Sequence, residues 1–480
     1  MNSGESMEHP LFNAATQCPD QSALIIEGQS LNYDQLFQSA SKILAWLTEQ
    51  GLRTGDIVVL DMLQPQETIF SFWACSLGGF IAFPVNTRFP VATLQNIIHD
   101  VQAKLIISNR DLDPDLTISF NKLLTGSGTS VIEQNEFDPF KAISLLMTSG
   151  SSGDVKIVQH SLANHVASAM GSNQNIPLKP GDRWLLTLPL YHVGGLSILF
   201  RTALSGASIA IPSADEKLID AISKFQVSHM SLVTIQLQRL LDESEADKVL
   251  AGMKAILLGG SSIPSSLIEA SLQKKLPIHT SYGSTEMASQ ICTTSPGNRS
   301  SALKSSGQVL SGGELLISHE GEILVKGDTL AMGYREGTEI SNFRDSQGWF
   351  HTGDVGYLDI DGSVTITGRM DNQFISGGEN IQPEYIEMAL LKIPGIIQAI
   401  VLPKIDPEFG YRPVAYLKLE KSCFMAQTIL DQLKKSLPGY MIPISFFHLP
   451  SDFFKGEMKT SRHKLAEFLT DPNNHLHPIN

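Results

Sequence analysis

Short apolar runs alternate with helical stretches from the N-terminus to about residue 300, and that alternation admits few architectures. In residues 33–51 the apolar positions Leu36, Ala40, Ile43, Leu44 and Leu47 share one helical face, with Gly51 placed to end the helix. Ile57-Val58-Val59-Leu60 and Lys104-Leu105-Ile106-Ile107-Ser108 read as strands. Strands that alternate with helices imply parallel sheets covered by helices. From Gly307 to about Thr367 the pattern shortens to strands and turns, such as Glu314-Leu315-Leu316-Ile317 and Glu322-Ile323-Leu324-Val325. After Gly368-Arg369-Met370-Asp371 a new α/β pattern begins. It has helical residues 385–391 and 428–437, and strand-like residues 399–402 and 414–417.

The expectation is therefore an α/β protein with a boundary at Asp371. Residues 1–370 form a large N-terminal domain of two parallel-sheet layers, with 307–370 as a β-rich subdomain. Residues 371–480 form a small α+β domain. A chain of 480 residues exceeds what one hydrophobic core usually supports. Residues 68–85 are rich in Phe, Ile and Ala, but Gly78, Gly79 and Pro84 point to a buried helix and a turn. Without a run of about 18 apolar residues, no membrane span is expected. The tail from Thr470 reads as disordered.

A net charge of -14 gives no overall attraction to nucleic acid. It also means that any bound polyanion must be held by local cations, backbone donors and a metal ion. Cys18, Cys75, Cys292 and Cys423 are far apart and lack CxxC spacing, which fits a reducing cytoplasm and argues against a zinc site. A homo-oligomer is left open.

Three runs carry the chemistry. The first is Thr148, Ser149, Gly150, Ser151, Ser152 and Gly153, followed by Asp154, Val155 and Lys156, directly after the strand-like Ile143-Ser144-Leu145-Leu146-Met147. Backbone N–H groups in such a loop can close around phosphate oxygens, and Lys156 adds a point charge. It is not a Walker A loop, because Gly153 is followed by Asp154. A solvated Ser/Gly linker is the plain alternative. The second run is Ser281-Tyr282-Gly283-Ser284-Thr285-Glu286. The third is Gly348-Trp349-Phe350-His351-Thr352-Gly353-Asp354.

In this order the three runs resemble the adenylate-forming superfamily of acyl-CoA synthetases, peptide-synthetase adenylation domains and luciferases. The resemblance spans nearly the whole chain and implies ATP, CoA and Mg²⁺ as reaction partners of a small carboxylic acid. It implies that the first run holds the β- and γ-phosphates, although the proline usual before the lysine is replaced by Asp154-Val155. Thr285 would contact the α-phosphate and Glu286 would hold Mg²⁺, a hard cation that prefers oxygen. Asp354 would accept from the ribose hydroxyls, with Arg369 beside it. Gly259 and Gly260, after Ile256-Leu257-Leu258, would lie beside adenine with Ser281, Tyr282 and Gly283. Lys459, three residues before Arg462, would reach the α-phosphate and the attacking carboxylate, with Lys455 as runner-up. Gly377 and Gly378 would swing in for thioester formation about a hinge at Asp371. Each has a plain alternative: a surface carboxylate, a turn aspartate, a solvated cation or a tight turn.

Three further runs resemble the o-succinylbenzoate–CoA ligase branch: residues 188–197, residues 231–237 and residues 374–380. That substrate is a dicarboxylate, so one carboxylate reacts and the other needs a cationic or donor-rich pocket. The resemblance implies Arg201, about two and a half helical turns after His192, for that role. Ser231 could add a hydroxyl and His192 would shape the pocket. An arginine at a helix end, a capping or buried structural serine and a satisfied structural histidine are the plain alternatives for Arg201, Ser231 and His192. A ligase for another aryl or medium-chain acid and a catalytically silent nucleotide-binding protein remain open at this stage.

Overall fold

The computed structural model describes residues 6–124, 136–149, 155–260, 263–297, 302–420, 425–450, 462–470 and 477–479. Among these, residues before 300 build most of two large sheets, to which Gln308–Val309 adds a strand in one and Gly333–Glu336 and Glu339–Ser341 add two in the other. An eight-stranded sheet has at its centre the parallel strands Ile57–Asp61, Ile81–Pro84, Leu105–Ser108 and Ala142–Ser149. A nine-stranded sheet has a parallel centre of Arg183–Leu185, Ser208–Ile211, His229–Leu232, Ala255–Leu258 and Ile278–Ser284. Antiparallel strands finish both edges of the nine-stranded sheet and one edge of the eight-stranded sheet, whose other edge, Thr117–Ile118, pairs parallel. The chain is thus the expected α/β fold of two layered sheets.

Local chemistry explains why the helices lie where they do. Asn32 opens the helix Tyr33–Glu49 with a reciprocal cap: its side chain accepts from Gln35 N–H while the Gln35 side chain accepts from Asn32 N–H. Gly79, at φ 69°, ends the buried helix Pro65–Gly78 in a left-handed turn. Pro84 is not part of that turn. It ends the next strand, Ile81–Pro84. Helices 33–49, 65–78, 162–175 and 193–205 share one core with both sheets, where Phe72, Trp73 and Phe200 meet edge to face. The helix Val193–Ser205 is therefore apolar on nearly every side and sits between the layers.

The strands Gly313–Ile317, Glu322–Gly327, Phe350–Leu358 and Val364–Arg369 form a four-stranded antiparallel sheet, while the intervening residues 333–341 add strands to the eight-stranded sheet. Beyond it, a further sheet carries Phe374–Ser376, Glu379–Ile381, Ile396–Asp406 and Gly410–Leu419, with its own core around Ile386, Leu390, Val401, Leu417 and Ile429. No helix among the described residues is long and apolar enough to cross a membrane.

Five histidines, His9, His160, His165, His229 and His279, are buried, and burial lowers the basicity of each. The folded imidazoles stay neutral while the unfolded ones take up protons below pH 6.5, so the unfolded state binds more protons and stability falls as pH falls. For His160, whose pKa is lowered to about 4, the loss accrues between pH 6.5 and 4. Each histidine contributes at most about 1.4 kcal/mol per pH unit. Urea midpoints should drop between pH 7 and pH 5, and less so in His165→Gln. A midpoint independent of pH in that window contradicts the assignment of neutral buried imidazoles.

Candidate active site

The second run lies on a hairpin between Ile278–Ser284 and Ser289–Thr293. Its tip is the short 3₁₀ turn Thr285–Met287. Gly283 has to be glycine, because a Cβ there would collide with the Ser289 carbonyl. The Thr285 carbonyl accepts from His160 Nε2 at 2.7 Å, and the Glu286 carbonyl accepts from Ala331 N–H at 2.8 Å. Glu286 is not a surface carboxylate: it is buried, and its Oε1 accepts from the Tyr334 hydroxyl at 2.9 Å. Burial, and then the Glu286 charge, hold that hydroxyl well above the usual phenol range.

Lys156 Nζ stands 4.9 Å from the Tyr334 ring centre, a cation–π contact. Lys156 also pairs with Thr148 across two antiparallel strands, Ala142–Ser149 and Val155–Ser161. Lys156 and Glu286 thus meet at one tyrosine, Tyr334, that sequence reasoning missed. A tyrosine at the start of a short strand gives no signal by itself. Gly150, Ser151, Ser152 and Gly153 lie outside the described residues, as does the Ser149 side chain.

A second cluster forms around Asp354, in the strand Phe350–Leu358. Asp354 Oδ2 accepts from the Tyr282 hydroxyl at 2.5 Å, and Oδ1 from Arg369 Nη1 at 2.9 Å. Arg369 Nε then reaches Asp371 at 2.9 Å. Asp354 is therefore not a turn aspartate, nor is Arg369 merely solvated. Burial, and then the Asp354 charge, push the Tyr282 hydroxyl far up. Nearby, Ser281 Oγ donates to the Leu258 carbonyl at 2.8 Å, beside Gly259, and Gly260 takes φ 87°. Among the described residues no group of three or more His, Cys, Asp or Glu could hold a metal. A lone carboxylate such as Glu286 suits Mg²⁺, which is commonly bound through one or two carboxylates plus substrate phosphates.

The third cluster lies between the sheets. His192 precedes the helix Val193–Ser205 and its ring lies 4.7 Å from that of Tyr191. Gly195 allows the tight entry, since a Cβ would strike the Pro189 carbonyl. Arg201 is mid-helix, not at an end, and only 1% exposed. Its Nη2 donates to Ser289 Oγ at 3.0 Å and its guanidinium lies 5.2 Å from the Trp184 ring centre. Nε and Nη1 have no hydrogen-bond partner among the described residues. Burial without a counter-charge lowers the guanidinium to about 9. Ser231 is also buried with an unpartnered Oγ, while its carbonyl accepts from the Thr187 hydroxyl.

Gly377 and Gly378 form the two-residue loop between Phe374–Ser376 and Glu379–Ile381. Both have positive φ, 57° and 89°, as such a hairpin requires. A Cβ on Gly377 would stand 2.8 Å from Phe409, whereas Gly378 faces open space. Lys459 and Lys455 lie outside the described residues. Arg462 opens the helix Arg462–Thr470 and binds Glu384 at 3.1 Å and Glu387.

Comparison with known proteins shows what the whole chain is similar to. The family model described as AMP-binding enzyme matches residues 11–335. The 2-succinylbenzoate–CoA ligase of Bacillus licheniformis is 32% identical, with 96% of this chain and 100% of that protein covered. Among solved structures, o-succinylbenzoate CoA synthetase from Bacillus subtilis in complex with its acyl-adenylate intermediate is 29% identical with a TM-score of 0.87. The match covers 98% of this chain and 99% of that one. The same enzyme in complex with ATP and magnesium ion is 30% identical with a TM-score of 0.83, covering 93% and 96%.

The glycine geometry predicts contrasting costs. Gly283→Ala forces backbone to move at the hairpin and should destabilise by about 1–3 kcal/mol or more. Gly378→Ala meets only the penalty of a positive φ, about 1 kcal/mol. Thermal melts of the two variants check this. Equal melting temperatures would refute the proposed crowding at Gly283.

Proposed function

The chain belongs to the AMP-binding enzyme family, and on that premise we propose that it joins o-succinylbenzoate to coenzyme A. ATP drives the reaction through an acyl-adenylate, with AMP and pyrophosphate as the other products. The observation that carries the choice of acid is Arg201. A guanidinium sealed between the sheets, with two donor nitrogens unpartnered, is costly unless an anion arrives. The non-reacting carboxylate of a dicarboxylic acid is such an anion. An acid without one would leave the cation unpaired. Ser231, also buried with an unpartnered hydroxyl, offers a further donor, and His192 shapes the pocket mouth.

A carboxylate is a poor electrophile, so activation comes first. The reacting carboxylate attacks the α-phosphorus and pyrophosphate leaves. Thr148, Lys156 and the intervening loop neutralise the phosphates, and Thr285 contacts the α-phosphate. Mg²⁺, when bound through Glu286, supplies further charge neutralisation. Asp354 accepts from the ribose hydroxyls, held in place by Tyr282 and Arg369. Lys459 bridges the α-phosphate and the incoming carboxylate. The CoA thiol then attacks the acyl carbon and AMP leaves. In this reading the chain divides at Asp371, and the C-terminal part swings between two poses. The Lys459 side serves adenylation and the Gly377 hairpin serves thioester formation. The separate core of the C-terminal sheet supports that division.

Two variants test the scheme. Lys459→Ala should slow adenylation, read as pyrophosphate release, by roughly 100-fold, while thioester formation from supplied acyl-adenylate survives. Pyrophosphate release at the wild-type rate would sink the assignment. Arg201→Ala removes a charge-assisted contact worth about 1.5–3 kcal/mol. That is roughly a 10- to 150-fold loss in kcat/KM for o-succinylbenzoate, with little change for an analogue lacking the non-reacting carboxylate. An equal loss for both acids would make Arg201 structural.

A further inference from the structure

Two consecutive non-glycine residues have positive φ directly after the Thr285–Glu286 pair: Ala288 at 51° and Ser289 at 128°. An L side chain at φ 128° is strained, and such strain persists only where the surroundings over-determine it. Here they do. Ala288 N–H returns to the Thr285 carbonyl at 3.1 Å, and the Ala288 carbonyl accepts from Ser168 Oγ at 2.8 Å. His160 and Ala331 hold the carbonyls of Thr285 and Glu286, and Met287 is fully buried between them. Each end of the turn is therefore pinned from the segment 160–168.

What the strained conformation achieves is visible at the Ser289 hydroxyl. It is the acceptor for Arg201 Nη2 at 3.0 Å, and Ser197 Oγ lies 3.4 Å away. Ser289 also closes the hairpin opposite Ser284, three residues from Glu286. We propose that Ser289 is a positioning residue that aims the Arg201 guanidinium at the acid. Through the pinned turn 285–289 it fixes the spacing between the acid's second carboxylate and the Thr285–Glu286 pair. This rests on the reading of Arg201 given above. A relaxed residue with its side chain elsewhere would leave Arg201 free to change rotamer, and the dicarboxylate would lose its register against the α-phosphate.

The test uses Ser289→Ala, which keeps a strained Cβ and removes the hydroxyl, and Ser289→Gly, which removes both. Both should raise KM for o-succinylbenzoate by about tenfold. KM for ATP, and kcat/KM for an analogue lacking the non-reacting carboxylate, should stay within about twofold of wild type. Ser289→Gly should melt higher than Ser289→Ala, because glycine accepts the positive φ. Equal losses for both acids, or no change for either, would overturn the proposal, as would a lower melting point for the glycine variant. Arg201→Ala run alongside separates the two levels. If it affects both acids equally, the reading of Arg201 fails and this inference with it. If it discriminates between the acids and the Ser289 variants do not, only the role of Ser289 fails.

Discussion

A buried cation with no counter-charge among the described residues is the constraint that the acid pocket of this fold is arranged around. The guanidinium of Arg201 has given up water, and among the described residues one serine hydroxyl and the face of Trp184 replace only part of what it lost. A monocarboxylate or a neutral acid would leave that deficit in place. The helix bearing Arg201 is held by Phe72, Trp73 and Phe200 in a core shared by both sheets, so the cation cannot easily swing out to solvent. Specificity in this account comes from a cost already present in the empty protein, which the right ligand relieves.

The carboxylates proposed to meet the nucleotide and its metal differ, because each already has a hydrogen-bond partner in the protein. Asp354 is held by Tyr282 and Arg369, and Glu286 by Tyr334. These partners orient the carboxylates and keep the tyrosine hydroxyls protonated, so both carboxylates stay available as acceptors. The two sides meet at one hairpin. Its outgoing strand carries Ser281 and Tyr282, its tip carries Thr285 and Glu286, and its return strand begins at Ser289. One short hairpin thus carries residues proposed for ribose, phosphate and acid recognition.

Much of this was legible in the sequence where a local rule applies. Helical periodicity in residues 33–51, the strands at 57–60 and 104–108, and the change to short strands after Gly307 all reflect burial on one face or two, which the residue order records directly. The motif residues Tyr282, Asp354 and Arg369 were legible by resemblance, and the structure brings them into one hydrogen-bonded group. The partners of these groups were not legible. Tyr334 meets Glu286 across 48 residues, His160 meets Thr285 across 125, and Arg201 meets Ser289 across 88. Such contacts arise from sheet order and helix docking, for which a single sequence has no local signature. The positive φ of Ser289 was equally hidden, since nothing in its residue type announces it.

Substrate choice by the unmodified protein tests selection by the buried guanidinium most directly. Purified protein with ATP, Mg²⁺ and CoA should be assayed for AMP formation against o-succinylbenzoate, the analogue lacking the non-reacting carboxylate, and a medium-chain fatty acid. kcat/KM for o-succinylbenzoate should exceed that for the analogue by at least about tenfold, with the fatty acid lower still. Comparable kcat/KM for the dicarboxylate and its analogue would contradict the claim that the buried guanidinium selects the acid.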